Sequence, residues 1–363
     1  MQRKLLAAAV GILAALVLGE MLVRVLGIGI GFGFGEDGGM RALHELRPEK
    51  PWLYGMRPST SATLTEPAEA TYRVNADGFR DRDVAHEKPP ATFRIALLGD
   101  SVSFGYGVAL EDTFAKQLET KLAGASRASD RSDRSYEVLN LGVSGYNPYT
   151  EAALLEDVGL AYAPDLVLAQ FCMNDLNDPS IHFDFSTALA LGEIPEEAYP
   201  DPSVRRAPPS GARELCARSR LCNAIAEATG WGEPDLATKL AGIAPHHDPS
   251  PTELAWLDRH YAKMAQLAAA RGAKFALVVF PDMFQLEPRA SHGVQERLRA
   301  LGEERGFPVI DLLPAFLAAK SAAEEPLFFD PWHPTPRGHR LAADALYRDL
   351  ACERLVPGLP CSR

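Results

Sequence analysis

Four short stretches of this 363-residue chain carry residue types that could do chemistry. Gly99-Asp100-Ser101 places a serine directly behind the apolar run Phe93–Leu98. A serine on a strand-to-helix turn has its hydroxyl at a sheet edge, with backbone N–H groups aimed at whatever it attacks. Asn140-Leu-Gly-Val-Ser-Gly145-Tyr-Asn147 follows a second apolar run. Gly145 lacks a side chain, so its N–H can approach an oxyanion closely. Phe171-Cys-Met-Asn174-Asp175 follows a third run, and the Asn174 amide is a further oxyanion donor. Asp330-Pro-Trp-His333 precedes the last helical pattern. His333 has the titration range of a general base, and Asp330 could fix its tautomer.

Each block alone has a plain explanation. Serine and asparagine cap turns, glycine makes them, and a histidine can sit in a surface loop. Together they occur in the order Ser, Gly, Asn, Asp-x-x-His, each at a strand end or just before the final helix. That combination is far more specific than any one block.

The elements that must position these residues are legible from periodicity. Phe93–Leu98, Tyr136–Leu141, Asp165–Phe171, Lys274–Phe280 and Pro308–Asp311 are predicted strands. Helices are expected over Thr113–Leu122, Tyr149–Gly159, Thr252–Arg271, Val294–Arg305 and Thr335–Leu350. Five apolar strands alternating with helices predict a parallel sheet covered on both faces, a three-layer α/β/α sandwich of flavodoxin type. Residues 177–251 break the rhythm. They are Pro-rich with a weak helical piece at Leu215–Thr229, and are read as an insertion over the ligand-binding sheet edge that shapes the substrate site.

The expected organisation is residues 1–30 as an N-terminal helix, 31–90 as a Gly-rich linker and extended collar, 91–352 as the α/β domain and 353–363 as a tail. Arg3 and Lys4 precede Leu5–Gly19, fifteen residues without a charge. Glu20 and Arg24 then lie four apart on one helical face, where they can pair or snorkel. This predicts a signal-anchor, with a cleaved signal peptide or a buried helix as alternatives. The flanking positive charges would put the rest of the chain outside the cytoplasm.

Composition narrows the classes further. Hydrophobic residues are 47% and charged residues 23%, which argues against wholesale disorder. With 37 basic against 48 acidic residues the net charge is −11, which disfavours a nucleic-acid surface. Five cysteines are too few for a disulfide scaffold and lack zinc spacing. Outside the cytoplasm Cys352 and Cys361 are expected to bridge. Cys216 and Cys222 could pair only if the helix between them breaks, and Cys172 should stay free and buried. His246-His247 lacks partners at metal spacing, and no metal or cofactor is expected. Asp175 and Asp178 are read as solvating or capping, Trp332 as packing, His339 as structural and Asp100 as hydrogen bonding in the turn.

The four blocks resemble those of the SGNH hydrolases, or GDSL esterase/lipase superfamily, over about residues 72–350. The opening Tyr72-Arg-Val-Asn-Ala-Asp-Gly-Phe-Arg80 is similar to the membrane-anchored bacterial branch. The resemblance implies Ser101 as nucleophile, His333 as base and Asp330 as its orienting partner. It also implies an oxyanion hole from the Ser101 N–H, the Gly145 N–H and the Asn174 side chain. Cys172 departs from the pattern, since the third block usually carries Gly there. The expected activity is ester hydrolysis on a small-molecule or glycan ester. The alternatives are O-acyl transfer on an envelope polysaccharide and non-catalytic carbohydrate binding.

Overall fold

The computed structural model describes residues 2–25, 38–47, 49–128, 134–176, 195–200, 219, 221–222, 225, 248–320 and 325–361. The chain divides into two compact units. The first comprises Met1–Glu36, Asp178–Glu196 and Pro202–Ala244. The second comprises Asp37–Asn177, Glu197–Asp201 and Pro245–Arg363.

In the first unit the N-terminal run forms helix α1 (Gln2–Val25). Glu20 accepts hydrogen bonds from the Ser219 hydroxyl at 2.8 Å and the Leu221 N–H at 3.0 Å. Ile12, Leu13, Leu16, Val17, Leu18, Met21 and Leu22 are exposed. Among the described residues, no helix is long and apolar enough to cross a membrane. The expectation of a transmembrane helix is corrected accordingly. The uncharged stretch before Glu20 extends only about 22 Å as a helix, short of the roughly 30 Å hydrocarbon core. Leu221, Cys222 and Ile225 are helical, within the piece expected over 215–229, and the rest of that piece lies outside the described residues.

The second unit begins with α2 (Gly38–Leu43) and two antiparallel hairpins. β1 (His44–Leu46) pairs with β2 (Tyr54–Met56), and β3 (Ser61–Leu64) with β4 (Ala70–Arg73). Within the expected collar, residues 44–73 are therefore hairpins, and the chain from Val74 to Ala91 forms no strand or helix. The Asn75–Arg82 segment makes a tight turn. Asn75 Oδ1 accepts the N–H groups of Asp77 and Phe79 around Gly78, whose φ is +86°.

Then come β5 (Thr92–Leu98), α3 (Ser101–Phe104), α4 (Phe114–Ala128), β6 (Ser135–Asn140), α5 (Pro148–Asp157) and β7 (Leu166–Phe171). α6 (Pro251–Ala270), β8 (Lys274–Val279), α7 (Gly293–Arg305), β9 (Val309–Asp311), α8 (Leu313–Lys320) and α9 (Pro336–Cys352) complete the unit. The five expected strands and five expected helices all form, with ends within two residues of those predicted except that α4 runs six residues past Leu122. α2, α3 and α8 are additions. The sheet is fully parallel with order β6-β5-β7-β8-β9. Ile95, Leu97, Val138, Leu168, Val278 and Ile310 share one core with residues of α4 and α9. α6 packs against α5, β7 and β8, giving the third layer.

The strand order reverses beside β5: the chain moves outward to β6, then returns across β5 to β7. The crevice at the carboxyl ends of β5 and β7 is thus a topological switch point, where open α/β sheets bind ligands.

Candidate active site

Ser101 opens α3 at the end of β5. Asp100 is the N-cap residue, and its Oδ1 accepts the Val102 N–H at 2.8 Å. This satisfies one of the free donors at the helix start. Only glycine fits at 99, because a Cβ there would strike the Ser103 and Gln170 side chains. Gln170, the lone amide in an apolar strand, accepts the Ser103 hydroxyl at 2.9 Å and the Asp100 N–H at 3.3 Å. β5, β7 and the serine turn are thereby tied together.

His333 arrives on the loop between α8 and α9. Its Nε2 lies 2.8 Å from Ser101 Oγ and its Nδ1 lies 2.6 Å from Asp330 Oδ2. The other Asp330 oxygen accepts the backbone N–H groups of Trp332 and His333, both at 2.9 Å. Burial pushes the Asp330 carboxyl up. The His333 ring and these two N–H groups outweigh it and hold the carboxyl below its ordinary value. Asp330 is thus an ionised, oriented acceptor that selects Nδ1–H and leaves Nε2 free to accept the serine proton. The Tyr106 ring lies 4.7 Å from the His333 ring, bracing its other side.

The Gly145 loop leads from β6 to α5. Gly145 has φ +81°, a left-handed conformation that glycine adopts without strain. Tyr54 donates to the Ser144 carbonyl at 3.0 Å, and Asn147 caps α5 through a capping box with Thr150. Asn174 sits in a 3₁₀ turn after β7, and its Nδ2 donates to Asp100 Oδ2 at 2.6 Å. The amide nitrogen carries two hydrogens, so one remains for a substrate oxyanion.

All five expected site residues, Ser101, Gly145, Asn174, Asp330 and His333, therefore lie at the carboxyl edge of one sheet, and the Ser101–His333–Asp330 chain is directly hydrogen bonded. A hydroxyl on an imidazole that is braced by a carboxylate can lose its proton as it attacks a carbonyl. Asp100 hydrogen bonds in the turn as expected, and Trp332 packs against the core. His339 is buried, its Nδ1 accepting the Phe114 N–H at 3.2 Å. Cys172 is free and buried. Asp175 is corrected in part: it caps, accepting the Cys172 N–H at 2.8 Å, but it is buried and cannot solvate. Asp178 and His246-His247 lie outside the described residues. Among the described residues no three His, Cys, Asp or Glu side chains are grouped to hold a metal ion.

Two contributors escape the sequence reading. Gln170 is one, and its signal is a polar residue inside an apolar strand. Arg80 is another. Fully buried, it donates to the carbonyls of Phe104, Gly105 and Val108, clamping the end of the serine helix. Glu151 on α5 is also fully buried, and nothing in its sequence context marks it so.

A profile of the GDSL-like lipase/acylhydrolase family matches residues 97–341. The chain belongs to this family. Its members hydrolyse ester bonds, and this GDSL protein is an ester-bond hydrolase. No curated protein sequence matches it. Among solved structures it is similar to TesA, with 17% identity and a TM-score of 0.43 over 72% of this chain and 99% of that one. It is similar to an acetyl xylan esterase, AlAXEase, with 15% identity and a TM-score of 0.41 over 71% and 100%. A catalytic mutant of an acetylxylan esterase from Geobacillus stearothermophilus shows 16% identity and a TM-score of 0.42 over 75% and 96%.

Proposed function

We propose that the GDSL chain cleaves acyl or acetyl esters through a Ser101–His333–Asp330 triad. The observation that carries this reading is the unbroken pair of hydrogen bonds from Ser101 Oγ through His333 to Asp330. Ser101 Oγ attacks the ester carbonyl while its proton passes to His333 Nε2. Charge on the carbonyl oxygen is met by the Ser101 and Gly145 N–H groups and the Asn174 amide. Collapse expels the alcohol, which takes the proton from His333, and leaves an acyl-serine. Water, deprotonated by His333, then releases the acid and restores the serine. Asp330 holds the ring and balances its charge throughout.

The supporting experiment is hydrolysis of p-nitrophenyl acetate together with labelling by a serine-directed phosphonate. Wild type should do both and Ser101→Ala neither. Turnover by a folded Ser101→Ala protein would sink the triad. Acyl transfer to a sugar shares the first half-reaction, so adding polysaccharide acceptors and following the acyl group separates the two fates.

We further infer that the enzyme works outside the cytoplasm. Arg3 and Lys4 before an apolar run support this, as do the exposed apolar residues of α1 and the Cys352–Cys361 disulfide. Fractionation and protease shaving of intact cells test it, and a protease-protected cytoplasmic protein would overturn it. The 177–251 insertion is read as setting substrate size. Trimming it should change acyl or glycan preference and leave p-nitrophenyl acetate hydrolysis intact.

A further inference from the structure

Behind the Asn174 turn lies a set of buried acids that the triad does not use. Glu151 on α5 is fully buried, and neither carboxyl oxygen has a hydrogen-bond partner among the described residues. Asp175 is 1% exposed. Its Oδ2 holds the Cys172 N–H, and its Oδ1 has no partner. Asn174 Oδ1, the Tyr261 hydroxyl on α6 and the Ser144 hydroxyl are likewise buried without partners. The ionisable groups acting on Glu151, Asp175 and Tyr261 are all acids: Asp100 from the serine turn, Cys172 and Asp175 from the turn after β7, and Glu151 itself. Among the described residues no Lys, Arg or His offsets them.

An ionised Glu151 would bury two carboxylate oxygens that no donor among the described residues meets. Burying an unpaired carboxylate costs several kcal/mol in any case. Burial first, and then the charge of Asp100, raise the Glu151 carboxyl well above its ordinary value. Burial raises the Asp175 carboxyl too, and the charge of Glu151 raises it next, while the Cys172 N–H on its Oδ2 favours its ionised form; Glu151 has no such donor among the described residues.

We propose that Glu151 is kept as a neutral carboxylic acid and is a positioning residue for the oxyanion hole, acting through the Asn174 turn. The idea rests on the triad reading above. Asn174 must present nitrogen, not oxygen, to the substrate. Asp100 secures one side of that choice by accepting Nδ2–H. The buried oxygen side needs an O–H donor, which a neutral acid network can supply. An ionised Glu151 would instead attract the amide N–H₂ group and compete with Asp100 for it.

The experiment compares the full chain with Glu151→Gln and Glu151→Leu. Gln is neutral and keeps both a donor and an acceptor, whereas Leu keeps the volume and loses both. In infrared difference spectra at neutral pH, wild type minus Glu151→Gln should show the carbonyl band of a protonated carboxyl. With p-nitrophenyl acetate, Glu151→Gln should keep kcat within about threefold, while Glu151→Leu should lose about 10- to 100-fold in kcat at nearly unchanged KM. A carboxylate band in place of the acid band would overturn the proposal, as would a Gln variant as impaired as the Leu variant. If Leu fails to fold, the infrared band and the Gln kinetics still decide. Absence of hydrolysis and phosphonate labelling in wild type would instead remove the triad reading, and the infrared result would stand apart from it.

Discussion

Asn174 Nδ2 and Asp100 Oδ2 are 2.6 Å apart, joining the turn after β7 to the turn after β5. The same carboxylate caps the helix that Ser101 begins. One side chain therefore holds both the helix that Ser101 begins and the Asn174 amide proposed for the oxyanion hole. Asp100→Ala should lose the cap, costing about 1 kcal/mol, and lower kcat by about 10²-fold at similar KM. Thermal melts and steady-state kinetics check both. Unchanged kcat would mean that Asn174 needs no such hold.

Ser101 and His333 should behave as one unit. Each alanine variant should lose on the order of 10⁴-fold or more in kcat, and the double variant should lose no more than the worse single one. Losses that multiply would show that the two act independently. Asp330→Asn should fall between wild type and His333→Ala.

Arg80 should prove intolerant of even a conservative change. A lysine has one nitrogen and cannot span the three carbonyls that the guanidinium holds at Phe104, Gly105 and Val108. Arg80→Lys should destabilise by about 3 kcal/mol, read by chemical denaturation, because buried carbonyls are left unpaired.

Acid should weaken the fold through its buried histidines. Burial lowers His44 and His260 from 6.5 to about 4, and His339 to about 3. The unfolded chain binds these protons first, so their contribution is complete above pH 6.5 and is lost as pH falls toward the folded values. Glu151 and Asp175, raised by burial, slope the opposite way over that range. The variant difference isolates one group: His339→Asn should flatten the fall in melting temperature on acidification. An unchanged slope would refute a neutral buried His339.

Reduction should be felt at the C-terminus. The Cys352–Cys361 bridge closes a short loop after α9, so Cys352→Ser should cost about 2.5 kcal/mol on chain-entropy grounds. Equal stability with and without reductant would show that the bridge does not form. Cys222 is also disulfide-bonded, while Cys216 lies outside the described residues.

The sheet and the site residues were legible because apolar strands alternate with amphipathic helices, and because Ser101, Asn174 and His333 sit where those patterns stop. The hairpins before residue 74 were not. Their strands are three or four residues long, too short for alternation to show. α8 follows a proline-containing stretch and its eight residues carry little periodicity. Arg80, Glu151 and Asp175 misled for another reason. Charged residues default to solvent in any reading of composition, and only the packing shows them enclosed.

The Glu197 carbonyl is held by Trp256 and His260, and the Ala198 carbonyl by Asn147, the cap residue two positions beyond Gly145. Two successive peptide units thus stitch the start of α5 to the middle of α6, elements more than a hundred residues apart in the chain. A contact of that sequence separation forms late and at a high entropic cost, so the Gly145 turn takes its final shape only once α6 is in place.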